Sequence, residues 1–373
     1  MKSRFMDSYH SIITDYDFLH SSMLKLVPQK ACKVSVFQEK LNFALEEYLR
    51  VLKVFAESNN NEDVKNEIDY VEVIIESINR AVAAIYKGEP ASAFTIIKNS
   101  AWRFDKLVYN IPENFSFYRM RSIEVAERAS LTYKDMFHIP FDKRGIVSTQ
   151  RYSIPGYPCL YLGKSVFGCW KELGQPNLDS CMVSRLTNKK ILKVWDLRIP
   201  DKTKWNDNNT FRSNILLYPL VIACSFKVKN QNAVFKHEYI IPQLLLQFIL
   251  ENDSIDGIMY TSVHRNKDFK FPDFVDTNYV FPIKEQGPDY THCPQLCDIF
   301  RITKPTSEEY EKIKRGTVFG EDNIKIEIPE GLTNVEQQRC YNYEMSLFGS
   351  LERNLKNIDF FGLHKINPRR KKV

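Results

Sequence analysis

Between Phe117 and Glu172 the chain gathers side chains that could do chemistry: Arg119 and Arg121, then Arg144, Arg151, Tyr152, Tyr161 and Glu172. A guanidinium presents a planar fork that gives two parallel, charge-assisted hydrogen bonds, which suits a diphosphate. A tyrosine offers a flat face to a nicotinamide or adenine ring. A carboxylate beside a ribose stabilises a developing oxocarbenium ion. Together these types suit cleavage of an N-glycosidic bond in a dinucleotide. Arginines flanking strands also suit surface ion pairs, and on residue types alone both readings stand.

Other chemistries find little support. There is no Walker loop, no GxGxxG and no GxSxG. His292, Cys293 and Cys297 lack a fourth ligand and the usual spacing, so no metal is expected. Arg4 and His10 fit the Arg-x(4–6)-His spacing of a class of helical-bundle ribonucleases, a pattern that arises easily by chance.

Residues 1–110 read as a helical domain. Leu41, Leu45, Tyr48, Leu52 and Phe55 fall at helical spacing, and so do Ile68, Val71, Ile75, Ile78 and Val82. Asn61 or Asp63 is placed to cap the second helix; Gly88 closes it and Pro90 opens a third that runs to Tyr109. A small N-terminal helical bundle is expected. From Ile111 to about residue 305, strand-like runs alternate irregularly with helices, which predicts a mixed α+β domain. The runs are Phe115–Met120, Pro158–Leu162, Ile191–Trp195, Gly257–Tyr260 and Tyr279–Ile283. Ser165 is placed to cap the short helix that carries Glu172. Residues 306–373 form a C-terminal extension with a strand-like Ile324–Ile328 and a final helix from Asn334 to Leu355.

Composition fits an ordinary globular protein. Of 373 residues, 43% are hydrophobic and 26% charged, enough for a real core. A net charge of +6 admits an anionic ligand and falls short of a nucleic-acid signature, so nucleic acid is not an expected partner. The apolar window Ile215–Phe226 is too short for a bilayer and contains Pro219, so no membrane span is expected. No signal peptide is visible, and the eight cysteines lack CxxC pairing, which predicts reduced thiols in a cytoplasm.

The same residues resemble the RES-domain family. The similar pattern is Tyr118-Arg119 at a first strand, the turn Gln150-Arg151-Tyr152-Ser153, Pro155-Gly156, the strand Tyr161-Leu162, and Glu172. It continues in Tyr260-Thr261-Ser262-Val263-His264-Arg265. The resemblance spans about residues 115–285. It implies an ADP-ribosyltransferase-like fold and NAD as substrate, consumed by hydrolysis, phosphorolysis or ADP-ribose transfer. Several such proteins are toxins paired with an antitoxin, so an antitoxin or regulatory protein is an expected partner, and self-association stays open. In the implied site Arg119 holds the pyrophosphate, with Arg121 competing for that role and Arg151 and Tyr152 assisting. Tyr161 stacks near the nicotinamide, Glu172 orients the ribose and stabilises the cation, and Ser262 supports by hydrogen bonding. Two positions depart from the pattern: Gln150 stands where Gly is usual and Ser153 where Asn is usual. The alternative expectation is a non-catalytic module that senses a nucleotide or binds a partner.

Overall fold

The computed structural model describes residues 19–27, 30, 33, 36–101, 108–200, 208–264, 273–287, 291–307 and 343–363. The protein is α+β, and it divides into two compact units. Arg4, His10, the run Ile324–Ile328 and the start of the expected last helix lie outside the described residues.

The first unit is helical. Helix α1 (Phe37–Ser58) buries Leu41, Leu45, Tyr48, Leu52 and Phe55, the stripe that its spacing predicts. Helix α2 (Glu62–Tyr86) is capped by Asn61, whose side chain accepts from the Val64 amide, and α3 spans Pro90–Ala101. The third helix therefore stops short of Tyr109, which lies in strand β1 (Val108–Ile111).

The unit is not continuous in sequence. It includes the described residues up to Val108 and also Thr149–Ile154 and Trp195–Ile255. The reason lies in α5 (Asn208–Cys224) and α6 (Ile240–Leu250), whose side chains are buried on nearly every side. A helix apolar all round must be surrounded. Within this unit the Tyr48 hydroxyl donates to the Ile215 carbonyl at 2.8 Å, and Arg212 pairs with the buried Glu67.

The second unit holds most of the sheet. The described strands run in the order β1-β5-β6-β7-β3-β2-β4-β8-β9. They are β2 (Ser116–Ser122), β3 (Cys159–Gly163), β4 (Cys181–Asn188), β5 (Leu192–Leu197), β6 (Gly257–Thr261), β7 (Thr277–Pro282), β8 (Phe300–Thr303) and β9 (Phe360–Gly362). One face of the sheet carries Phe117, Leu160, Leu162, Leu186, Met259, Tyr279 and Phe281 in a common core. The other face carries Tyr118, Met120 and Val183 against two helices, α4 (Val166–Glu172) and α8 (Leu347–Leu355). Helix α7 (Pro294–Ile299) packs into the first core.

Pairing is uneven across the middle of the sheet. Strand β2 pairs along its whole length with β4, from Ser116↔Thr187 to Ser122↔Cys181. With β3 it shares a single pair, Tyr118↔Gly163. Beyond that pair the two strands part, and Arg119, Met120 and Arg121 edge the opening.

Candidate active site

Alternation along β2 puts Arg119 and Arg121 on the face of Phe117, at the end of its core. Both guanidinium groups are half-buried. Arg119 donates through Nη1 to the Tyr161 carbonyl on β3 at 2.7 Å, so a side chain bridges the opening where backbone pairing has ceased. Its Nε is buried with no hydrogen-bond partner, and the same holds for Nε of Arg121. Burial, then the neighbouring Arg121, pushes the Arg119 guanidinium down to about 9, so it stays charged at neutral pH at a cost. Arg121 is also lowered by burial, against which the Asp135 charge works. Two partly desolvated cations side by side favour a neighbouring anion. A cavity of about 810 Å³ adjoins it, lined among others by Arg121, Ser122, Leu131, Asp135, Leu173 and Ser180. That volume is in the range of a small-molecule site.

Glu172 ends helix α4. The Ser165 side chain accepts from the Gly168 amide at 2.9 Å, the cap that the sequence predicts, and donates to the Val275 carbonyl at 2.6 Å. At the far end the buried pair Lys171–Asp276, 3.2 Å apart, fastens the helix to the start of β7. Glu172 itself is exposed, yet its Oε1 is fixed by two donors, the Ser262 hydroxyl and Nδ2 of Asn278 at 2.9 Å. Ser262 is in turn held by its amide on the Asp276 carbonyl at 2.8 Å and accepts from the His264 amide at 3.0 Å. Oε2 has no protein partner among the described residues, which leaves one carboxylate oxygen oriented and open. Asn278 carries no sequence signal: it is a polar residue near the start of a strand that is otherwise mostly apolar.

Tyr161 sits on the sheet face opposite Leu160 and Leu162. The register Tyr161↔Val280 and Gly163↔Asn278 puts it on the same face as Asn278, the partner of Glu172. The Cys169 thiol, pushed up to about 12 by burial, lies within electrostatic reach of both Arg119 and Glu172. By the same register Arg119 and Arg121 stand on the Phe117 face of the sheet, and Tyr161 and Asn278 on the other.

Arg151 and Tyr152 are held by contacts of their own. Both belong to the helical unit. Arg151 is buried and donates through Nη1 to the Cys224 carbonyl at 2.7 Å and through Nη2 to the Phe226 carbonyl at 2.9 Å. It also lies over the Tyr239 ring. Both terminal nitrogens thus serve orphan carbonyls at the end of α5. Tyr152 is fully buried. The departures at Gln150 and Ser153 form a closed turn, in which the two residues exchange backbone hydrogen bonds. Gln243, missed in the sequence, donates to both of their carbonyls at 3.1 Å.

His138 is a structural residue. Its Nδ1 meets the Ile139 carbonyl and its Nε2 accepts from the Cys293 amide, which fixes the neutral ring, and burial pushes it down to about 3. Cys293 and Cys297 are buried free thiols. Among the described residues, no group of three or more His, Cys, Asp or Glu could hold a metal. No described helix is long and apolar enough to cross a membrane.

Comparison with known proteins agrees with the pattern. A Bacillus subtilis (strain 168) protein named "Putative toxin YopC" is 39% identical over 223 residues, which is 54% of this chain. The chain spans about half of that relative, 49% of its length. No solved structure matches. Residues 124–303 match the family described as RES domain, a span that includes Glu172 and Ser262 and begins just after Arg119 and Arg121. Over residues 124–303 the chain is thus similar to the RES-domain family.

Proposed function

We propose that the protein cleaves the nicotinamide–ribose bond of NAD, as a toxin-type effector. The observation that carries this reading is the Glu172 carboxylate, tethered through one oxygen by Ser262 and Asn278 and open at the other. The C1′–N bond breaks with its electron pair leaving on the nicotinamide nitrogen, and the ribose carbon takes on positive charge. A carboxylate held in place stabilises that charge without first reorganising. Arg119 and Arg121 hold the diphosphate through the charge and terminal N–H groups of their guanidinium forks. Tyr161 serves the nicotinamide end, on the face it shares with Asn278. The cation is then captured by water, inorganic phosphate or a nucleophile on a macromolecule. A proteinaceous antitoxin that covers this site fits the name of the relative.

The test is incubation of purified protein with NAD, with and without phosphate, and mass spectrometry of the products. Free nicotinamide is expected, with ADP-ribose or its 1-phosphate according to the acceptor. Glu172→Gln should lower turnover at least 100-fold, the usual scale for a lost transition-state electrostatic contact. Intact NAD in every condition, including with cell extract as a source of acceptor, sinks the reading. Saturable NAD binding without turnover would favour the sensing module instead.

A further inference from the structure

Helix α4 has only seven residues, so little of its order comes from its own hydrogen bonds. Its first-turn amides must find partners elsewhere. Ser165 takes the amide of Gly168. That of Val166 goes to the C-terminal segment, more than 170 residues away in sequence. The Val166 amide donates to Oε1 of Glu352 at 2.7 Å. The Tyr343 hydroxyl donates to the same Glu352 oxygen.

The segment that supplies these groups is itself ordered and packed. Ser346 caps α8 by accepting from the Gly349 amide at 3.1 Å. A Cβ at Gly349 would stand 2.4 Å from the Tyr343 carbonyl oxygen, so only glycine lets α8 lie this close to the turn before it. Phe348 packs on Phe167 and Trp170 with ring centroids 5.3 and 5.4 Å apart, and Leu351 and Leu355 are buried in the same core. All of this lies beyond residue 303, where the RES-domain match ends.

We propose that Glu352 is a positioning residue for Glu172: residues 343–355 clasp the N-terminus of α4 and so set the carboxylate at its other end against Ser262 and Asn278. The inference rests on the reading of Glu172 as the catalytic carboxylate, and it adds a part of the site that the family pattern does not contain. Both hydrogen bonds land on Oε1, which leaves Oε2 to carry a proton. Burial raises the Glu352 carboxyl to about 7, against the pull of Tyr343, the Val166 amide, Lys164 and Lys356. Tyr118 on β2 and Cys169 in α4 also face it, both pushed upward by burial. Lys164 is lowered by burial. The folded protein thus binds a proton at Glu352 that the unfolded chain gives up near the ordinary carboxylate value. Its contribution is fully present below that value and is lost as pH rises through about 7.

The experiment is hydrogen exchange of the full chain, followed by mass spectrometry of peptides covering 166–172, at several pH values and corrected for intrinsic rates. NAD turnover is measured in parallel. In the wild type, protection of α4 should fall as pH rises through 7. Glu352→Gln mimics the protonated carboxyl and should keep the protection while removing its pH dependence. Glu352→Ala should lower protection about tenfold, the scale of one lost buried hydrogen bond to a helix end, and should lower kcat more than it raises KM. Protection and kcat unchanged in Glu352→Ala would overturn the proposal. Should Glu352→Ala fail to fold, Glu352→Gln decides: a pH profile like the wild type's overturns it. If the wild type consumes no NAD, the proposed function fails while the exchange data still test the clasp.

Discussion

Arg119 is charged, half-buried and short of partners, and that combination gives a test that separates a ligand residue from a structural one. The perturbation is Arg119→Met, which keeps the apolar stem and removes the guanidinium. The guanidinium lies at about 9, well below its ordinary value of 12.5. At about 1.4 kcal/mol per pKa unit, the charge costs the folded state up to about 5 kcal/mol. Allowance for its exposed part reduces this to about 2–3 kcal/mol. Against it stands one hydrogen bond to the Tyr161 carbonyl, worth about 1.5–3 kcal/mol when the donor is charged. The two nearly cancel, so the variant should melt within about 4 °C of the wild type.

Ligand should tell them apart. At one hundred times its Kd a ligand stabilises by about 2.7 kcal/mol, or roughly 5–10 °C. ADP-ribose, which retains the diphosphate and has no nicotinamide to lose, is the suitable probe. Thermal melts should show this shift in the wild type and its near absence in Arg119→Met. Two results refute the reasoning. A fall of more than about 8 °C without ligand would make Arg119 a structural keystone. A full ligand shift in the variant would mean that the diphosphate is held elsewhere.

Two further substitutions probe the scaffold. Arg151→Ala strands the Cys224 and Phe226 carbonyls and should cost about 3 kcal/mol in denaturant unfolding, while the KM for NAD of the folded protein stays unchanged. Gly163→Ala places a Cβ 2.5 Å from the Cys169 sulfur and 3.0 Å from the Ser165 carbonyl, so it should push α4 off β3. The expected cost is about 1–3 kcal/mol, read from denaturant midpoints, with a fall in kcat as Glu172 moves.

What the sequence revealed follows from how local each signal is. The stripe of α1 and the caps at Asn61 and Ser165 depend on neighbours within a turn or two, and they appear where expected. Strand β4, Cys181–Asn188, went unseen because it is buried on both faces and so lacks alternation. The recruitment of 195–255 into the helical unit was likewise hidden, since periodicity reports that a helix must be surrounded and not by what.

The site shows the same division at the level of single side chains. Arg119 and Arg151 are one residue type in one family pattern. Type establishes that each can hold a diphosphate, but only tertiary contacts decide whether its donors are already taken. Two carbonyls at the end of α5 engage both terminal nitrogens of Arg151, while a sheet that parts beside Arg119 leaves it a single carbonyl and a buried Nε without a partner. Glu172 is defined in the same way, by Ser262, Asn278 and the clasp at Glu352, each far off in sequence. A catalytic group differs from its structural look-alike by what has been left unsatisfied, and that is a property of the fold.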